Sequence, residues 1–451
     1  MLRCDERLSR GYSSLRPARI TFWLIVALAL ATVGGAVLFF INRAKFDADE
    51  RLLAELGITS LFSPEAQSSG DWPQWRGPNR DGVSWETGLL TEWPAGGPKL
   101  LWEAACGPGY SSFGKVGKRV LTMMQDGADE AVVCWNADTG QEFWRFHYAC
   151  SYYSDQGNGP RSTPTVDGDF VYAVGATGVF HCLKLENGEK VWRHDLLQEF
   201  GARNLQWGVS FSPLVEGNLV VTNPGGPNGN SIAAFDKQDG KLAWKNLDDP
   251  AGYSSPIAAT LAGRRQIVFF TGTAVVGVSL ENGHELWRYP WETSYGANVA
   301  TPIVLNQYVF ISSGYGKGCA VLRPEAWKGY RVDRVYESNQ MRNHFSSSLY
   351  FKEHLYGFDE DRLICMEFRT GKVRWKERGF KKGSLLIADG HLIVLGEYGE
   401  LAVAEATPDG FRPKSSCRIS KTKCWTVPVF ADGKLYVRDE EKVRCLDLKK
   451  R

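Results

Sequence analysis

Residues 182–192 read CLKLENGEKVW: an apolar run, a turn carrying Gly188, and a second run ending in Trp192. Four other stretches repeat the phrase: CWNADTGQEFW (134–144), AFDKQDGKLAW (234–244), GVSLENGHELW (277–287) and CMEFRTGKVRW (365–375). Each reads as a strand, a tight turn and a second strand. The Trp-to-Trp steps are 48, 52, 43 and 88 residues, the last being two steps of 44. A hairpin repeat of this length is the signature of a β-propeller.

A second phrase opens each unit: a small polar pair, often Pro, then an apolar hairpin. Clear copies are STPTVDGDFVYAVG (162–175), FSPLVEGNLVVTN (211–223) and TVPVFADGKLYVRD (426–439). Further copies begin at 254, 300, 346 and 383, and a degenerate one, SSFGKVGKRVLTMM, spans 111–124, which makes eight units. The last unit ends at VRCLDLKKR without a fourth strand, while PKLLWEA (98–104) reads as a fourth strand with no partner before it. Joining the two closes the wheel and removes its free edges. The expected fold is an all-β, eight-bladed propeller of four-stranded blades over 98–451, about 44 residues per blade.

The 451 residues, 43% hydrophobic and 12% aromatic, suit a β-rich globular chain, and a net charge of +2 gives no reason to expect nucleic acid. Residues 20–41 (ITFWLIVALALATVGGAVLFFI) carry no charge and match the length of a transmembrane helix. The competing reading is a cleaved signal peptide, but the apolar run continues ten residues past Ala31. Arg3, Arg7, Arg10, Arg16 and Arg19 precede the span, so residues 1–19 are expected in the cytoplasm and the propeller outside it. Residues 42–70 are a tether, and 71–97 lead into the propeller.

Cys134, Cys182, Cys319, Cys365 and Cys445 share one repeat position, held elsewhere by Ala234, Gly277 and Ala402. A position restricted to small residues is a packed core site, so these thiols read as filler. Cys106, Cys150, Cys417 and Cys424 are free to pair in an oxidising compartment, with no connectivity legible.

The Trp phrase and its preceding Ser-x-Pro strand closely resemble the pyrroloquinoline-quinone (PQQ)-like repeat. That repeat occurs in eight-bladed quinoprotein dehydrogenases and in BamB-type outer-membrane assembly lipoproteins. The lead-in DWPQWRGPNRDGVS (71–84) looks like that of PQQ-like propeller proteins of planctomycete-type bacteria. The resemblance implies that the repeat tryptophans dock between blades, which removes them from any functional set. It specifies fold far better than function.

Function is then expected in the loops that lead into the innermost strands. Candidate funnel residues are Arg161, Trp207, Tyr253, Asn298, Arg342, Asn343, His344, Lys382, Lys423 and Trp425. Arg161, Arg342, Lys382 and Lys423 on one funnel would make a cationic pocket with aromatic walls, suited to a planar carboxylate ligand. PQQ, held with Ca2+ in the enzymes the repeat resembles, fits that description. Against the enzyme, the chain has no vicinal Cys-Cys pair, no haem attachment motif and no clear acidic cluster on the rim. It also lacks the lipobox cysteine of the BamB type. His344 is a candidate base, though a lone loop His usually only hydrogen-bonds. The reading that follows is a membrane-anchored binding or scaffold propeller for a protein or small anionic ligand. The alternative is a PQQ-dependent oxidoreductase whose catalytic residues the sequence does not identify, and no transition-metal ligand set is expected.

Overall fold

A computed structural model describes residues 70–325 and 331–451. Seven sheets of four strands and one of five follow one another as eight blades. Among the described residues no helix is long and apolar enough to cross a membrane, and the 20–41 segment lies outside them. The expected closure is present. Lys99–Ala105 pairs antiparallel with Lys442–Asp447 and supplies the outer strand of blade eight.

The blade seams explain the repeat phrase. In every blade the pairing of the third and outermost strands shifts register beside the repeat position. Such a bulge re-aims the following side chain. In blades one, two, three, six and eight it sends the indole to the next blade. There Trp102, Trp144, Trp192, Trp244 and Trp375 donate to the carbonyls of Ala137, Leu185, Lys237, Leu280 and Thr407. Blade five uses Tyr336 instead, its hydroxyl donating to the Phe368 carbonyl at 2.9 Å.

The turn glycine has two duties. Gly140, Gly188, Gly240 and Gly283 all hold φ near +70°, which favours glycine. A Cβ on Gly188 would also lie 2.6 Å from Trp144, and one on Gly283 2.5 Å from Trp244. The glycine is thus the floor on which the previous blade's indole rests. Blade four departs from the rule. Trp287 folds back over Gly277, where a Cβ would sit 2.1 Å from its Nε1, and donates to Gln266 at 2.6 Å.

The small polar pairs form an inner ring. Backbone N–H groups of Ser112, Thr163 and Ser212 donate to the hydroxyls of Thr163, Ser212 and Ser255, each one blade further on. The repeat cysteines are fully buried, and Cys134, Cys182 and Cys365 stand directly opposite their tryptophans. All nine described cysteines are free thiols.

The lead-in segment does something the sequence did not announce. It starts on the face where the inner hairpins turn. There Asp71 accepts from Gly117 N–H, and Lys115, itself buried, pairs with Asp71 and Asp432. Trp72 exchanges backbone hydrogen bonds with Lys115 of blade one, and Pro73 accepts from Val166 of blade two. Arg80 then donates to the carbonyls of Ser212, Pro213 and Pro256 in blades three and four. Trp75 donates to Thr301 of blade five, and Arg76 to the Ser348 carbonyl of blade six. Val83–Ser84 adds parallel to Ser384–Ala388 as the fifth strand of blade seven. Glu86 finally accepts from Asp432 and Gly433 N–H of blade eight. One loop therefore fills the channel and touches all eight blades.

Two stability outcomes follow. Trp192→Ala removes a docked indole and should cost about 3–5 kcal/mol in a denaturant titration, with unfolding still cooperative. Arg80→Ala leaves three buried carbonyls without their donor and should cost about 3 kcal/mol in the same measurement. A loss below about 0.5 kcal/mol would mean that the loop is not part of the folded wheel.

Candidate functional site

The loops leading into the inner strands, with the hairpin loops between second and third strands, meet on the face opposite Gly70. Aromatic rings line this rim almost without a gap. Tyr110 contacts Trp425 at 5.4 Å, Trp425 contacts Phe345 at 4.6 Å, and Phe345 contacts His344 at 6.2 Å between ring centres. His344 contacts Tyr315 at 4.7 Å, and Tyr315 lies parallel to Trp207 at 6.2 Å. Trp207 also meets Tyr253 and Tyr295, at 5.7 and 5.5 Å. Arg161 closes the run, its guanidinium 4.6 Å from the Tyr152 ring and 5.5 Å from Tyr110. Trp207 comes from the loop before blade three and Tyr315 from blade five, so the rings reach across the mouth.

Four rim residues hold left-handed backbone. Tyr295 and Tyr315 hold φ of +62° and +54°, and Met341 and Lys381 hold +53° and +49°. Bulky residues rarely adopt this region, and such residues cluster at ligand clamps and active sites. Both tyrosines nevertheless stay in water, at 63% and 37% exposure. Two polar atoms at the rim are buried without a hydrogen bond, Trp207 Nε1 and Tyr152 Oη.

The cations fall into two kinds. Arg342 is spent on Asp359, with Nε and Nη2 at 2.6 and 3.2 Å from its carboxylate. Arg161 donates to the Gly157 and Gly159 carbonyls of its own loop. The lysines face neutral partners. Lys423 lies 4.2 Å from the Trp425 ring and donates to the Gln156 carbonyl at 3.1 Å. Lys382 Nζ sits 2.9 Å from His344 Nδ1, and Lys381 lies over Tyr398. Burial first, and then Lys382, holds the His344 imidazole down at about 4, so it is neutral near pH 7.

Of the ten predicted residues, seven stand on this rim: Arg161, Trp207, Tyr253, His344, Lys382, Lys423 and Trp425. The other three are tied up by buried backbone or a carboxylate, Arg342 while still on the rim loop. Asn298 is fully buried and donates to the Thr271 and Trp291 carbonyls. Asn343 is buried, donates to the Phe358 carbonyl and accepts from Ser348. Arg342 is the third, locked to Asp359, so the expected four-cation pocket does not assemble.

Sequence reasoning missed Tyr152, Tyr315, Glu397 and Glu440. Glu397 accepts from Trp425 Nε1 at 3.2 Å, and Glu440 from the Tyr110 hydroxyl at 3.2 Å. Tyr315, Glu397 and Glu440 sit in hairpin loops between second and third strands, where no polar cluster marks them. The only hint was a tyrosine between two glycines at 314–316.

The residues do not fit PQQ. Its carboxylates would need free guanidinium forks, and both rim arginines have committed theirs. The channel axis below is filled by residues 70–84.

Residues 128–377 match the family described as outer membrane protein assembly factor BamB. The BamB of Shewanella oneidensis is 24% identical over 282 residues, covering 60% of this chain and 67% of that protein. Among solved structures, BamB from Moraxella catarrhalis superimposes with a TM-score of 0.54 at 13% identity, over 78% of this chain and 99% of that one. A quinohemoprotein alcohol dehydrogenase from Pseudomonas putida HK5 gives 0.50 at 12% identity, over 85% and 81% of the two chains. At these identities the structural likenesses show the fold alone.

Replacing Lys382 by Gln removes the nearby charge but not the burial. NMR titration of His344 should therefore give a value above about 4 in Lys382→Gln, yet still below the ordinary histidine value of about 6.5. An unchanged titration would separate the two side chains.

Proposed function

The chain belongs to the family of outer membrane protein assembly factor BamB, and from that premise we propose that it is a binding propeller which holds a partner protein on its aromatic rim. The observation that carries this is the rim itself. Exposed, strained tyrosines and neutrally partnered lysines surround a mouth whose channel the chain has filled with its own residues. A filled channel leaves a surface, not an enclosed cleft, and surfaces rich in Tyr, Trp and Arg suit macromolecular partners. In this reading residues 20–41 anchor the chain in the cytoplasmic membrane, and the arginines of 1–19 keep that end inside. The propeller then works outside the cytoplasm as a scaffold.

An oxidoreductase is the weaker reading, because the rim offers PQQ no free guanidinium fork.

A photo-crosslinking residue at position 295 or 315, in the full chain in its native membranes, tests the rim. Both positions should give the same adduct, identified by mass spectrometry. Position 191, on the outer wall of blade two, should not. Equal adducts at 191, or none at either rim position, would reject the rim as the docking face.

A further inference from the structure

The rim is not uniform. Lys381, Lys382 and Lys423 come from the loops before blades seven and eight and Arg161 from the loop before blade two, while Trp207, Tyr295 and Tyr315 cluster on blades three to five, with Lys317 beside them and Tyr153 exposed in the Arg161 loop. We infer that the partner element it takes is an acidic peptide segment carrying an aromatic or large apolar side chain. The carboxylates lie on the lysine side, and the apolar side chain lies on Trp207, Tyr295 and Tyr315. This rests on the rim being the docking face.

Charge supports the acidic half. The Lys381, Lys382 and Lys423 side chains meet tyrosine, histidine, tryptophan and a carbonyl, none of which neutralises them. Of the acids on this face, Glu397 and Glu440 are turned onto the Trp425 indole and the Tyr110 hydroxyl, while Asp155 and Glu360 lie on the Tyr315 side, away from the lysines. Lys423 lies on an aromatic face and donates to the Gln156 carbonyl and the Tyr110 hydroxyl, neutral partners that orient it and keep its charge.

The filling loop adds to this. Arg76 and Arg80 are buried where the inner strands begin, directly under the rim. Their donors go to carbonyls, including those of Ser348, Ser212 and Pro256, with Asp81 the acid nearest Arg76. Two buried guanidiniums in a low-dielectric channel raise the potential at its mouth, because little water screens them. The loop thus closes the channel and also biases the mouth toward anions.

The apolar half follows from Tyr295 and Tyr315. Both are held in the left-handed region and both are exposed, so the fold keeps costly backbone conformations to present ring faces to water. They meet edge to face at 5.6 Å, Tyr315 lies parallel to Trp207 and Tyr295 meets that indole edge-on, so the three rings form one cluster.

The test uses the full-length chain in a nonionic detergent and three fluorescein-labelled peptides read by anisotropy. One alternates Glu with Trp, one replaces each Trp by Ser, and one replaces each Glu by Lys. The Glu–Trp peptide should bind about tenfold tighter than either other peptide and weaken as salt rises, since exposed charges are screened. Lys382→Gln combined with Lys423→Gln should weaken it about tenfold. Tyr315→Ala should weaken the Glu–Trp peptide but leave the Glu–Ser peptide unchanged. Unaltered circular dichroism and melting temperature of each variant would exclude unfolding as the cause. Equal binding of the Lys–Trp peptide, or an unchanged double variant, overturns the proposal. If the peptides fail while rim adducts still form at 295 and 315, the acidic-aromatic chemistry is wrong and the docking face stands. If the adducts fail too, both fall.

Discussion

The wheel depends on an indole lying on a glycine. In four of the eight seams a tryptophan leaves its own sheet at a bulge, crosses to the next blade, rests on that blade's turn glycine and donates to a carbonyl beside it. Three requirements meet at one point. The turn needs a positive φ, the ring needs a surface with no Cβ, and the carbonyl needs a donor. Blades one, two, three and six supply a donor on one side and a floor on the other, so the contact recurs around the axis. Blade four shows the constraint by breaking it. Trp287 packs inward, and a glycine then appears at position 277, under the ring, in place of the usual small side chain.

This is why the architecture was legible in the sequence and the site only in part. Indole, glycine and small core residue recur at fixed spacing, so five obvious copies led to eight blades and to the strand Lys99–Ala105 that closes them. The rim is built from what does not repeat. Asn298 and Asn343 looked like funnel residues because they precede an inner strand, yet their amides are needed to satisfy buried backbone. Arg342 looked like a free cation because its partner, Asp359, lies 17 residues away at the end of the second strand of blade six. Tyr315 carried no signal beyond its flanking glycines, since nothing local shows that its hairpin loop reaches across the mouth to Trp207.

The lead-in segment was the least legible part. Its residues are polar and turn-forming, and as a sequence they read as a connector. In the structure they fill the axis, with two guanidiniums buried against inner-strand carbonyls. Those carbonyls stand immediately before the first strands, outside the ladders, and in blades three and six those strands are only three residues long. A stretch that must make such bonds has to be polar, so its composition disguised its burial. The same loop sets what the opposite face can offer, because a closed floor turns a tunnel into a platform.

The buried Lys115 also has a mechanical meaning. The chain reaches the wheel at Gly70, where Lys115 holds the Gly70 carbonyl, Asp71 and the blade-eight residue Asp432 together. Tension applied to the chain ahead of Gly70 therefore arrives first at this ion cluster and at the Trp72 backbone pairing with blade one. Only after those yield does it reach the channel loop. Because Lys115 bridges the first and last blades, such a load bears on the joint where the wheel was closed. That joint is fastened by an ion pair, a backbone bridge and the docked Trp102, which makes it a reinforced point of attachment.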